Sequence, residues 1–197
     1  MVAMVLAGML AHASSTQPSP PALTQPDRTQ LVKPPQGLAD FVLTNEDAQP
    51  FKFSNLRGRT ALVFFGFTNC PNVCPPTMQK LRAVQRSLAD EKSPLTSILI
   101  SVDGERDTPA VMKQYLEPFM PGFLGLTGDP RAVRDIASAF SAVFFKGMPT
   151  DSAGGYNVEH TSQVYLVDRE GRLRASFFNA PAGDMIETTR RVMRQPD

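Results

Sequence analysis

Two cysteines, Cys70 and Cys74, and two histidines, His12 and His160, are the only thiols and imidazoles in the 197 residues. Metal or redox chemistry in this chain therefore has very few side chains to draw on. The cysteines lie in Asn69-Cys70-Pro71-Asn72-Val73-Cys74-Pro75. A thiolate is both a nucleophile and a ligand for soft metals. Three residues separate the pair, not the two of the common redox motif. If that turn is helical, both sulfurs fall on one helical face, where they could close a disulfide or point together at one soft ion. A disulfide over so short a ring removes little entropy from the unfolded chain, so a functional site explains the pair better than a staple. Two cysteines are too few for a disulfide-rich scaffold or a four-cysteine zinc ribbon.

What these residues can do depends on the elements that position them. Ala61–Phe67 is a continuous apolar run, as expected of a central strand buried on both faces. The cysteine segment follows it directly, and a helix is expected from about Cys74 to Ala89, with Met78, Leu81, Val84 and Leu88 on one stripe. A thiol at a helix N-terminus meets free N–H groups and partial positive charge, which favour the thiolate. A second buried strand is expected at Leu95–Val102, and Thr108-Pro109 then opens a helix carrying Val111, Met112, Tyr115, Leu116 and Phe119. A short strand at Phe123–Leu126 precedes a helix with Val133, Ile136, Ala137 and Phe140 at helical spacing. Gln163–Val167 and Leu173–Phe178 flank the turn Asp168-Arg169-Glu170-Gly171 and predict an antiparallel hairpin. A helix at about Gly183–Arg194 closes the domain, and Phe41–Leu43 with Phe51–Phe53 read as a short hairpin near its start. This order predicts an α/β fold with flanking helices and a central mixed sheet, parallel at its core and antiparallel at its edge. That is the thioredoxin-like pattern.

In such a fold the start of the Gln163–Val167 strand lies beside the N-terminus of the first helix. His160 precedes that strand, after the flexible stretch Gly154–Glu159. Two sulfurs and one nitrogen can then converge from distant parts of the chain. That donor set suits Cu(I), or Cu(II) with an added ligand, whereas zinc normally takes a fourth ligand. The other reading of His160 is a surface or hydrogen-bonded histidine with no ligand duty.

The ends of the chain differ from its middle. Residues 1–13 hold an apolar run from Val2 to Ala11, too short to span a membrane, and Ala11-His12-Ala13 fits a leader cleavage pattern. With no positive n-region, the segment reads as part of a leader whose start lies upstream or as the remnant of a longer anchor; in both cases export is expected. Residues 14–37 are rich in Ser, Thr, Gln and Pro and are expected to form an extended tether, leaving 38–195 as the folded domain. The balance of 20 Lys and Arg against 19 Asp and Glu argues against a nucleic-acid partner. The 42% hydrophobic content is ample for a globular core.

Four segments in order carry a resemblance. Phe65-Gly66-Phe67-Thr68-Asn69-Cys70-Pro71 with Cys74-Pro75, Ser101-Val102-Asp103 with Glu105-Arg106-Asp107-Thr108-Pro109, Val158-Glu159-His160-Thr161-Ser162, and Tyr165-Leu166-Val167-Asp168 are similar to the SCO/SenC family over about residues 37–195. The resemblance implies a copper-binding thioredoxin-like protein, tethered on the periplasmic side of a bacterial inner membrane, with Cys70, Cys74 and His160 as ligands. It implies a metallochaperone that delivers copper to the dinuclear copper site of cytochrome c oxidase, or keeps that site's thiols reduced. The implied partners are that oxidase subunit, or another copper acceptor, and a thiol-reducing protein. The family's acidic residue near the site maps to Asp103, which otherwise reads as a turn or capping carboxylate. Gly104 stands where Pro is common and is expected only to loosen its turn, while Glu159 stands where Asp is frequent and keeps the charge. Thioredoxin-type reductases carry a cis-proline where this chain has Ser162, which tilts the reading from dithiol catalysis towards metal carriage. An extracytoplasmic thiol–disulfide oxidoreductase using Cys70 and Cys74 remains the alternative.

Overall fold

The computed structural model describes residues 28–149 and 156–195. The leader, most of the expected tether and the Gly154-Gly155 part of the approach to His160 lie outside the described residues. An eight-stranded sheet forms the centre. Its strands are β1 (Thr29–Gly37), β2 (Val42–Asn45), β3 (Pro50–Lys52), β4 (Thr60–Gly66), β5 (Leu95–Ser101), β6 (Phe123–Thr127), β9 (Gln163–Val167) and β10 (Arg172–Phe178), in the spatial order β1-β10-β9-β4-β5-β6-β2-β3. A separate two-stranded sheet pairs β7 (Phe144–Pro149) with β8 (Tyr156–His160). The helices are α1 (Cys74–Ser87), α2 (Pro109–Leu116), α3 (Pro130–Ala139) and α4 (Ala182–Met193).

Strands β4, β5 and β6 run parallel, while β9, β10 and β1 add antiparallel on one side and β2 and β3 on the other. All seven residues of β4 are buried, as its continuous apolar sequence requires, and each large apolar side chain so buried stabilises the fold by about 1.5–3 kcal/mol. Side chains alternate across a strand. Phe65 therefore meets Phe140 at the end of α3 (centroids 5.4 Å apart) and Tyr165 of β9 (5.9 Å), while Gly66 faces the first turn of α1. Helix α1 lies on β5 and against α4, and α2 on β6. Thr108 caps α2 through Val111 N–H (3.4 Å), and Asp129 caps α3 through Arg131 and Ala132 N–H (2.9 and 3.2 Å); each helix has Pro at its tolerated first position.

The structure differs from the sequence reading in three places. Thr29–Gly37, within the expected tether, is the edge strand β1, so the sheet begins before residue 38. Pro34 and Pro35 fall where its register with β10 shifts between Leu31 and Gln36, and an edge strand tolerates prolines there. Helix α2 ends at Leu116, with Phe119 in a following 3-10 turn and Val111 38% exposed, so the apolar stripe is shorter than expected. The approach to His160 contains the strand β8, paired with β7. Among the described residues no helix is long and apolar enough to cross a membrane.

Candidate metal centre

The cysteine segment is a turn between the most buried strand and the first helix. After β4 the chain leaves the sheet through Phe67 and Thr68 and enters α1 at Cys74. Helix α1 has no side-chain oxygen at its N-cap; instead Cys74 N–H donates to Cys70 Sγ at 3.4 Å. The loop is held from outside by Asp107, which is fully buried. Its carboxylate accepts from Thr68 N–H (3.0 Å), Thr68 Oγ1 (2.6 Å) and Ser101 Oγ (2.6 Å). Gly66 is a glycine of necessity, because a Cβ there would sit 2.7 Å from Phe64 Cε1 and 2.9 Å from Cys74 Sγ.

His160 ends β8 and hangs over this turn. Its Nε2 lies 3.9 Å from Cys70 Sγ and 3.8 Å from Cys74 Sγ, and the three atoms lie within 4.8 Å of one another. A metal bonded at about 2.3 Å to sulfur and about 2.0 Å to nitrogen at trigonal angles spaces S and N about 3.7 Å apart. Both nitrogen-to-sulfur separations thus stand close to what one shared ion needs. The imidazole stacks edge-on against Phe64 (5.9 Å) and Phe67 (5.7 Å). Its Nδ1 lies 3.3 Å from Thr161 O, and a proton donated there leaves the Nε2 lone pair facing the thiols. Burial holds the His160 pKa below its ordinary value, so the ring is neutral and free to ligate.

The cysteines are free thiols and both are buried. Burial pushes the Cys74 thiol well above its ordinary range, only partly offset by a hydrogen bond from the Phe67 backbone. The expectation that the helix N-terminus favours the thiolate therefore fails at Cys74, where loss of water is the largest influence. A metal entering the site must displace that proton.

Asp103 is not among the converging donors. Its buried carboxylate accepts from the Tyr156 hydroxyl at 2.5 Å and pairs with the Arg106 guanidinium, so it serves the strand that carries His160. The neighbouring Gly104 does more than loosen a turn. A Cβ there would meet the Gly128 carbonyl oxygen at 2.2 Å, so two backbones cross where a side chain cannot fit. Sequence reasoning missed Asp107, Arg106 and Tyr156 as site-building residues. The available signal was four charged residues within Asp103–Asp107, between an apolar strand and a capped helix.

A thioredoxin-like sheet with a thiol pair at the head of its first helix, and an imidazole brought over that pair from a distant hairpin, defines a soft-metal-binding branch of that fold. The chain belongs to the SCO1/SenC family, whose model matches residues 30–194. A SCO2-like protein of Rickettsia conorii is 32% identical over 152 residues, which is 77% of this chain and 74% of the relative. Among solved structures, yeast Sco1 with copper bound superposes with a TM-score of 0.75 at 28% identity, covering 83% of this chain and 91% of that one. Arabidopsis thaliana ScoI with copper bound gives 0.74 at 29% identity, covering 80% and 98%.

Proposed function

We propose that this protein carries one copper ion between Cys70, Cys74 and His160 and hands it to an extracytoplasmic acceptor, the dinuclear copper site of cytochrome c oxidase. The observation that carries the reading is the donor geometry: two sulfurs and a bare imidazole nitrogen within 4.8 Å. Such a set satisfies Cu(I) and leaves room for an incoming ligand.

Transfer proceeds by ligand exchange. Cys74 is fully buried, Cys70 nearly so and His160 only partly buried, so an acceptor approaches from the His160 side. The imidazole leaves first, and the deeper sulfur is the last protein ligand to let go. As copper departs, Cys74 regains the proton it lost on loading. When the pair is oxidised to a disulfide, a thiol-reducing partner must restore both ligands before copper can bind. The apolar leader supports export, with the leader and the residues after it tethering the domain at the periplasmic face of the inner membrane.

Anaerobic titration of the reduced protein with Cu(I) should reach one equivalent. Titration with Cu(II) should give sulfur-to-metal charge-transfer absorption that is shifted and weakened in His160→Ala. No Cu(I) uptake by the reduced wild type would overturn the proposal and leave a dithiol protein.

A further inference from the structure

Among the described residues, the two halves of the site make no backbone pairing with each other. Cys70 and Cys74 belong to the main-sheet turn, whereas His160 belongs to the β7–β8 hairpin, outside that sheet. Apart from the contacts of the His160 ring itself with the thiols and the Phe65 backbone, the hairpin's polar attachments to the body among the described residues gather on one five-residue loop, 103–107. Tyr156, the first residue of β8, donates its hydroxyl to Asp103 (2.5 Å), and its carbonyl accepts from Arg106 Nη1 at 3.1 Å. Arg106 pairs with Asp103, and its guanidinium lies over the Tyr156 ring at 3.9 Å and 5.9 Å from the Phe67 ring centroid. From β7, Lys146 donates to Glu105 at 2.8 Å and lies over the other part of this cluster, 3.8 Å from the Tyr156 ring centroid. The same loop ends in Asp107, which grips Thr68 in the cysteine turn. One short segment thus holds the cysteine half with its last residue and the histidine half with the residues before it.

We propose that loop 103–107 acts as a bridge that sets the His160-to-thiol distance, and that Tyr156, through Asp103 and Arg106, is the positioning residue that keeps the imidazole within ligand reach. The inference rests on the copper reading for its purpose, and on the Tyr156 cluster alone for its geometry. Tyr156 lies four residues from His160 along β8, so a shift at its anchor is carried along the strand to the ligand. Phe144 and Val158 are buried and keep the hairpin seated, so breaking the polar anchor loosens the hairpin without detaching it. Copper is then held mainly by the two sulfurs.

The test compares the full chain with Tyr156→Phe, which keeps the ring and deletes the hydroxyl. A second variant, Asp103→Asn, keeps an acceptor for the phenol and removes the charge facing Arg106, which secures the test should the first fold poorly. In the copper-free protein, hydrogen exchange of the β8 amides should quicken about tenfold, the scale of one lost hydrogen bond to a charged group, while α1 amides stay unchanged. In the Cu(II)-loaded protein, the charge-transfer and EPR spectra of both variants should move towards those of His160→Ala. Unchanged β8 exchange overturns the proposal whatever happens with copper. Faster exchange with a wild-type Cu(II) spectrum also overturns it, since the cluster would then be structural only. If the wild type itself takes up no copper, the metal reading fails separately, and exchange confined to β8 alone decides whether the bridge stands.

Discussion

The cysteine half and the histidine half of the site are built in opposite ways. The cysteine half is continuous in sequence: buried strand, turn and helix follow one another within Thr60–Ser87, and its sulfurs rest on core side chains of essentially zero exposure. The histidine half rides on a two-stranded hairpin fixed by one exposed ion pair, the hydrogen bond to buried Asp103, two cations over the Tyr156 ring and a few buried apolar residues. One half is rigid because it is made of core, and the other is adjustable because it is not. A carrier needs that asymmetry: a fixed pair of strong ligands to hold the ion, and a third ligand that can be withdrawn when an acceptor arrives.

Changes to the rigid half should have the larger effects. Cys74→Ser removes one of the chain's two thiols, and stoichiometric Cu(I) binding in an anaerobic titration should be lost outright. Next comes Asp107→Asn. It weakens three hydrogen bonds to a buried carboxylate and should cost about 2–3 kcal/mol in denaturant unfolding, while exchange of the β8 amides stays as in wild type. If β8 responded as strongly as the cysteine turn, the division between halves would be wrong. Gly66→Ala should cost about 1–3 kcal/mol as an overpacked core position and displace Cys74 Sγ, read as weaker Cu(I) retention against a competing chelator.

The smallest effects come from pH. His160 has a folded pKa below 6.5, so between that value and 6.5 the unfolded chain binds more protons; stability of the copper-free protein should therefore fall as pH drops below about 6.5. Cys74 has a folded pKa above 9.0, so its contribution is complete below about 9 and is lost as pH rises beyond it. Thermal denaturation across this range should trace a dome, and His160→Ala should flatten its acid side. For copper loading, the proton displaced from Cys74 should by itself contribute about a tenfold rise in affinity per pH unit through neutrality.

The same contrast explains what the sequence could reveal. The thiol turn was legible because its determinants are adjacent: an apolar run, two cysteines among prolines, and a helical stripe from Met78 to Leu88. The convergence of His160 was legible only through the α/β order, which places the start of β9 beside α1. Its supporting hairpin was not, because Phe-Phe-Lys-Gly-Met-Pro shows no two-residue alternation, the alternation of Tyr-Asn-Val-Glu-His lasts only five residues, and the two pair with each other away from the main sheet. Strand β1 was hidden by its own composition, since a Pro-rich, exposed edge is specified by its partner β10 and not by its residues. Asp107 and Tyr156 act through partners 39 and 53 residues away, and one sequence shows no such pairing. The sign of the Cys74 shift also needed the structure, because a helix N-terminus can be read from a sequence but the depth of a sulfur cannot.

X-ray absorption at the copper edge of the Cu(I)-loaded, fully reduced protein, alongside His160→Ala, reads the ligand set itself. The predicted result is a first shell of two sulfurs and one imidazole nitrogen in the wild type, reduced to two sulfurs in the variant. A wild-type shell with no nitrogen, or one that His160→Ala leaves unaltered, would contradict it.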